Sequence, residues 1–234
     1  MSNVAYCHVS PSCHLCYNVI VKIVICPDSF KGSCRAREAA AAIADGVRAV
    51  LPHAHIVLLP LADGGEGTLE TLCAGTDALH TARVHDPLMR PITARWGCLP
   101  GGTAVVETAE AAGLTLLHEH ERDPLCTTTF GAGELIRAAL EHGCTRVLIG
   151  LGGSATNDGG AGMAQALGVR FHDRAGRVLK DGVAGGTLRS VARIDAACAD
   201  ARITQCVMRA ACDVRNPLCG PHGAAAVFAP QKGA

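Results

Sequence analysis

The run "VIVKIVIC" at residues 19–26 is β-branched and, apart from Lys22, continuously apolar instead of alternating, and it passes directly into the polar loop "PDSFKGS" and then a helical pattern. A strand apolar on both faces belongs in a parallel sheet covered on both sides, and parallel neighbours are joined by helical crossovers. This one feature predicts an α/β fold. Downstream, Ala39, Ile43, Val47 and Val50 recur at helical spacing, with Ser33 as N-cap and Pro52 as the stop. "HIVLLPLAD" (55–63) reads as a second strand and "GTLETLCA" (67–74) as a short helix, giving a βαβα order with right-handed crossovers.

The middle of the chain changes character. "ITARWGC" and "TAVVET" flank Leu99-Pro100-Gly101-Gly102 and predict an antiparallel hairpin in a different subdomain beginning near Arg83. The α/β rhythm then returns: "GAGELIRAALEHG" (131–143) is a helix stopped by Gly143, "TRVLIGL" (145–151) a buried strand, and "GGSATNDGG" (152–160) a loop. After a helix through Leu167, "VRFHDRAGRVL" predicts a second hairpin turning at Asp173 to Gly176, and "ITQCVMRAAC" (203–212) a further strand.

Composition narrows the function. Lys plus Arg equals Asp plus Glu at 21 each, so no basic excess points to nucleic acid or an anionic membrane. One Trp, two Tyr and four Phe are too few for base-stacking platforms. No run approaches the ~20 apolar residues of a membrane span, and no basic stretch precedes the first apolar one, so the expectation is a cytoplasmic protein. The 13 cysteines are odd in number and scattered, several of them in apolar runs, and most are expected to be small buried hydrophobes in a reducing compartment. "CHVSPSCHLC" (7–16) holds three cysteines and two histidines; Cys13-x-x-Cys16 is half of a zinc site with no second tight pair, so residues 1–20 are expected to be a disordered extension.

Three glycine-bearing polar loops each follow a buried strand: "PDSFKGS", "ADGGEGT" (62–68) and "GGSATNDGG". In open parallel sheets ligands sit outside the carboxyl ends of the strands, so the three predict one cleft. In the first, Lys31 supplies a point charge, while Gly32, Ser33 and the first helix amides offer donors to a phosphate or carboxylate; the plainer alternative is a capped βα turn. In the second, glycines surround Asp63 and Glu66, so backbone can approach a ligand, and a carboxylate can take a hydroxyl proton or hold Mg²⁺. The third sets Ser154, Thr156, Asn157 and Asp158 between two Gly-Gly pairs. This inventory suits phosphoryl transfer. It is not a Walker A motif, because the chain has no Gly-Lys dipeptide. "GLGGSA" (150–155) also fits a dinucleotide fingerprint, with Asp173 downstream for a ribose, which keeps an NAD-dependent oxidoreductase as a lesser alternative.

On "KIVICPDSFKGS", "LPLADGGEGTL", "ARWGCLPGGTAVVETAEAAGL", "GAGELIRAAL", "IGLGGSATNDGGAGM" and "ACDVRNPLCGPHGAAAVFAPQKGA", the sequence resembles the type I glycerate kinase family from about Val21 to its last residue. The resemblance implies a Rossmann-like or flavodoxin-like parallel-sheet domain with a second mixed α/β domain inserted and the active site between them. It implies ATP-dependent phosphorylation of D-glycerate, most simply to the 2-phosphate, with Mg²⁺. Carried over by position, Asp28, Ser29, Lys31 and Ser33, then Asp63, Gly64, Gly65, Glu66 and Thr68, then Ser154, Thr156, Asn157 and Asp158 fall in the family's cleft loops. Lys31 is expected to supply charge for a phosphate or carboxylate, Asp63 to lie nearest the reacting hydroxyl, and Asp158 to do metal or proton work. Asp213 and Asn216, at another strand end, are further binding candidates, with a capped turn as the alternative.

Cys34 and Arg35 stand where the family has leucine and serine. Members continue beyond "PQKGA", so the fold is expected to be incomplete at its C-terminus, and the alternative function is an inactive remnant with weak ligand binding. The expected domains are residues 21–82 with 123–162 as the Rossmann-like core, and 83–122 with 163–234 as the second domain.

Overall fold

The computed structural model describes residues 21–30, 33–74, 77–212 and 214–234. The Cys/His-rich stretch at 7–16, Lys31 and Asp213 lie outside the described residues.

The chain opens as a βαβ unit. Strand β1 (Lys22–Ile25) pairs in parallel with β2 (His55–Leu58), and helix α1 (Ala36–Val50) crosses between them. Ala40 and Ala44 of α1 are fully buried against Ile25, because small side chains let the helix lie close to the strands. The helix starts later than its pattern predicts. Arg35, not Ser33, is the N-cap, and the carboxylate of Glu38 accepts the Arg35 N–H at 3.1 Å. The prediction of a strand buried on both faces is corrected. Ile23 and Ile25 meet α1, but Val24 on the opposite face is 51% exposed and Leu58 of β2 is 41% exposed. One helix covers one face of a two-stranded sheet, and among the described residues no second layer covers the other.

After helix α2 (Thr68–Leu72) come β3 (Leu79–His85), β4 (Pro91–Leu99) and β5 (Thr103–Glu107), with β4 antiparallel to both β3 and β5. The predicted hairpin is thus present, turning through Gly101 and Gly102, both at positive φ. Helices α3 (Ala109–Ala112) and α4 (Phe130–Glu141) lead into β6 (Arg146–Gly150), which lies parallel to β5. Gly143, at φ 93°, ends the α4 segment as its position predicts. Helix α5 (Ala161–Ala166) follows, then the antiparallel pair β7 (Arg170–His172) and β8 (Arg193–Asp195), strand β9 (Val207–Ala211) parallel to β6, and helix α6 (Ala224–Phe228).

The main sheet has the order β3-β4-β5-β6-β9. Strand β6 pairs with β5 and β9, not with β1 or β2, so hydrogen bonding crosses the divisions at 122/123 and 162/163 drawn from sequence. Leu135, Ile136, Ala139 and Leu140 of α4 pack on Val106, Val147 and Ile149. Burying a leucine or isoleucine completely contributes roughly 1.5–3 kcal/mol, so this face dominates the core. The opposite face is covered by Leu69 of α2 and Cys73 against Val105. Cys73 and Cys144 are buried in these two clusters as small apolar side chains, but Cys26, Cys126, Cys198, Cys212 and Cys219 are exposed, so the expectation of mostly buried cysteines is corrected. Among the described residues no helix is long and apolar enough to cross a membrane.

Candidate active site

The loop after β2 is the hub of the site. Asp63 is exposed, and its Oδ1 accepts the Gly65 N–H at 2.9 Å, which folds the loop back on itself. Thr68 is buried and closes the turn by donating its hydroxyl to the Gly65 carbonyl at 2.8 Å. Gly64 has φ 95°, and a Cβ there would stand 2.9 Å from the Cβ of Ala211 at the end of β9. A Cβ on Gly152 would meet the Cα of Gly65 at 2.4 Å, and the Gly152 N–H donates to the Gly64 carbonyl at 3.1 Å. Only glycines allow the second and third loops to touch backbone to backbone in this way. The first loop joins them where the Ser29 hydroxyl reaches the Glu66 carbonyl at 3.4 Å. The three strand-end loops thus touch one another, although residues 152–160 of the third are not on the wall of the cleft beside them.

A large cleft opens beside this hub. Ser29, Ser33, Asp63, Gly64, Glu66 and Thr68 lie on its wall, together with the end of β9. Asp28 is exposed, accepts the N–H of Ser29, and is not on that wall. Asn216 is also exposed and away from the cleft, where its amide donates to the His222 carbonyl at 3.0 Å and staples a turn. That contact corresponds to the capped-turn alternative.

Glu107 is an acid in the cleft that the sequence reasoning missed. It ends β5, is 4% exposed, and accepts the N–H groups of Gly67 at 3.2 Å and Leu69 at 3.0 Å, one on each oxygen. It thus ties the second loop to the main sheet. Burial raises its pKa to about 7, with Glu110 and Glu66 adding to the rise and the two N–H donors opposing it. The signal was available, since Glu107 closes the apolar run "AVVE" of the sequence. At the cleft mouth Arg95 bridges Glu110 and Glu70, and Arg35 reaches Glu70 at 2.9 Å.

The third loop divides its residues between two roles. Asp158 is 2% exposed: its Oδ2 accepts the Thr129 N–H and hydroxyl at 2.8 Å each and the Gly162 N–H at 3.1 Å, while Oδ1 accepts the Gly160 N–H at 3.0 Å. Protein donors thus surround a carboxylate that the sequence assigned to metal or proton work, and they fasten the starts of α4 and α5 together. Ser154 and Thr156 instead face Lys232, whose Nζ donates to the Ser154 hydroxyl at 3.0 Å and the Thr156 carbonyl at 2.6 Å. Lys232 was also missed, because nothing in "PQKGA" places it near a loop some eighty residues earlier. Asn157 is half-buried beside them, with no side-chain partner among the described residues. Helix α5 begins only at Ala161, well past "GLGGSA", so the helix start that a dinucleotide fingerprint requires is absent from that motif.

No three acidic, histidine or cysteine side chains converge as a metal cage among the described residues. A nucleotide-borne Mg²⁺ needs only one or two protein carboxylates, which Asp63 and Glu66 can supply.

Comparison with known proteins gives the same family. The family model of the Glycerate kinase family matches residues 23–234. The chain is 51% identical over 216 residues to the glycerate 2-kinase of Escherichia coli (strain K12), and 51% identical over 216 residues to the glycerate kinase of Bacillus subtilis (strain 168). In each case the match covers 92% of this chain and 56% of the relative, so the chain spans little more than half the length of these relatives. The crystal structure of a candidate glycerate kinase 2 from Salmonella typhimurium LT2 superposes with a TM-score of 0.77 at 48% identity, over 92% of this chain and 57% of that one. The chain belongs to the glycerate kinase family.

Proposed function

We propose that this chain forms the strand-end cleft of a kinase that transfers the γ-phosphoryl group of ATP to D-glycerate, giving 2-phosphoglycerate. The observation that carries the proposal is the backbone contact between the second and third loops at Gly64, Gly65 and Gly152, inside a chain half-identical to named glycerate kinases. Phosphoryl transfer demands positioning and charge stabilisation more than covalent chemistry, and a rigid set of strand-end loops supplies both.

Asp63 is the group assigned to the reacting hydroxyl. One of its oxygens is held by Gly65, the other has no partner among the described residues, and its exposure to the cleft lets it accept a hydrogen bond from the attacking alcohol. Ser29, Ser33 and Glu66 line the adjoining wall and are assigned to substrate and nucleotide. Lys31 is retained as a source of phosphate charge. Asp158 is assigned to the frame, since its oxygens are taken up by four donors. Mg²⁺, brought in on ATP, would rest on Asp63 or Glu66 and neutralise phosphate charge.

The test is phosphorus NMR of the product formed from ATP, Mg²⁺ and D-glycerate. A 2-phosphoglycerate resonance supports the proposal, a 3-phosphoglycerate resonance changes the acceptor hydroxyl, and no phosphoglycerate refutes it.

A second reading has its own observation. Val24, Leu58 and Val207 are exposed on strands, so two sheets present uncovered apolar surface. A chain in this state could bind ligand weakly without turnover. Ligand-induced stabilisation without product would favour it.

A further inference from the structure

Lys232 makes a contact that structure alone does not require. Its ammonium is partly buried and held by two neutral acceptors, the Ser154 hydroxyl and the Thr156 carbonyl. No carboxylate lies within 4.0 Å of it among the described residues, and the nearby Asp158 is engaged by four other donors. A neutral donor could make the same two hydrogen bonds without the cost of drawing a charge out of water.

The loop it touches is short of acceptors and rich in donors. The backbone N–H groups of Gly153, Ser154, Thr156 and Asn157 have no acceptor among the described residues, and neither does the Asn157 amide. The Ser154 hydroxyl, having accepted from Lys232, retains its own proton to donate. Successive unpaired N–H groups beside a cation are what an oxyanion needs. The loop also adjoins a residue of the cleft wall: a Cβ on Gly153, one residue before Ser154, would stand 3.5 Å from a carboxylate oxygen of Glu66.

We propose that Lys232 and the donors of residues 153–157 form a subsite for a small-molecule oxyanion, either a phosphoryl or a carboxylate group. Burial lowers the pKa of Lys232 and Asp158 opposes the shift, as expected of an ammonium whose anionic partner is not supplied by the protein. The subsite deepens the kinase function proposed above, and rests on it only for which ligand carries the oxyanion.

The experiment is calorimetric titration of the full chain with inorganic phosphate, ADP and D-glycerate, in parallel with thermal melts, for the parent, Lys232→Met, Lys232→Arg and Ser154→Ala. A charge-assisted contact predicts that Lys232→Met weakens at least one of these ligands by about tenfold or more, that Lys232→Arg restores part of the loss, and that added salt weakens the parent. Ser154→Ala reports the same subsite if Lys232→Met does not fold. ADP sensitivity assigns the phosphoryl source and D-glycerate sensitivity the carboxylate source. Phosphate binding that depends on Lys232, without binding of ADP or D-glycerate, keeps the subsite and removes the kinase function. Unchanged affinities with a lowered melting temperature would make Lys232 a structural staple and overturn the proposal. So would a parent that binds none of the three.

Discussion

Replacing Asp158 by asparagine separates a structural carboxylate from a chemical one. The asparagine oxygen can take the place of Oδ2 and keep Thr129 and Gly162 as donors, but its NH₂ must then face the Gly160 N–H where an acceptor stood. One part-buried donor is orphaned, at about 1 kcal/mol. The three surviving bonds lose their charge assistance, which roughly halves each. Together these give about 3 kcal/mol, or a fall in melting temperature of roughly 6–12 °C for a chain of this size. Asp158→Ala would orphan all four donors and is expected to prevent stable folding at 37 °C. Circular dichroism melts of both variants, with ADP release measured at a temperature where Asp158→Asn is folded, complete the test. A variant that melts with the parent yet has lost all phosphoryl transfer would refute the structural assignment and return Asp158 to the chemistry.

The raised pKa of Glu107 gives a pH signature. Its folded value of about 7 lies above the ordinary 4.5, so the folded state holds the proton more tightly; the contribution is complete below about pH 4.5 and is lost as pH rises through 7, amounting to roughly 3 kcal/mol at most. Urea titrations should show the parent losing stability relative to Glu107→Gln across that window, and parallel curves would contradict it. Gly152→Ala would drive a Cβ into the Gly65 backbone, costing about 1–3 kcal/mol and parting the second and third loops. Its ligand affinity should therefore fall further than its melting temperature suggests, and an unchanged Kd for ADP and D-glycerate would show that the loops need not touch.

Elements whose signal is local were legible in the sequence. The period of α4, the apolar run of β6 and the paired glycines between β4 and β5 each report on a few neighbouring residues, and each element stands where it was expected. Which strands become neighbours is not a local property. The composition of β6 announces a parallel strand but not that its partners are β5 and β9. The start of β9 was placed too early because Asp200 accepts the Arg202 N–H and winds residues 201–205 into a 3₁₀ turn. In the site, the glycines of the second loop were legible, and the structure packs Gly64 and Gly65 against β9 and the third loop. Asp158 looked reactive because a sequence shows a carboxylate but not the four donors that surround it. Lys232 depends on a tertiary contact that leaves no local pattern.

The central claim is that a cleft built on the second loop performs phosphoryl transfer to glycerate, and it is met most directly by a coupled ADP-release assay with D-glycerate and MgATP on the parent and Asp63→Asn. The account predicts D-glycerate-dependent ADP release in the parent and a loss of about 10²-fold or more in a variant that melts with it, as removal of a group acting on the reacting hydroxyl should give. A folded parent without activity, or an Asp63→Asn protein as active as the parent, would contradict it.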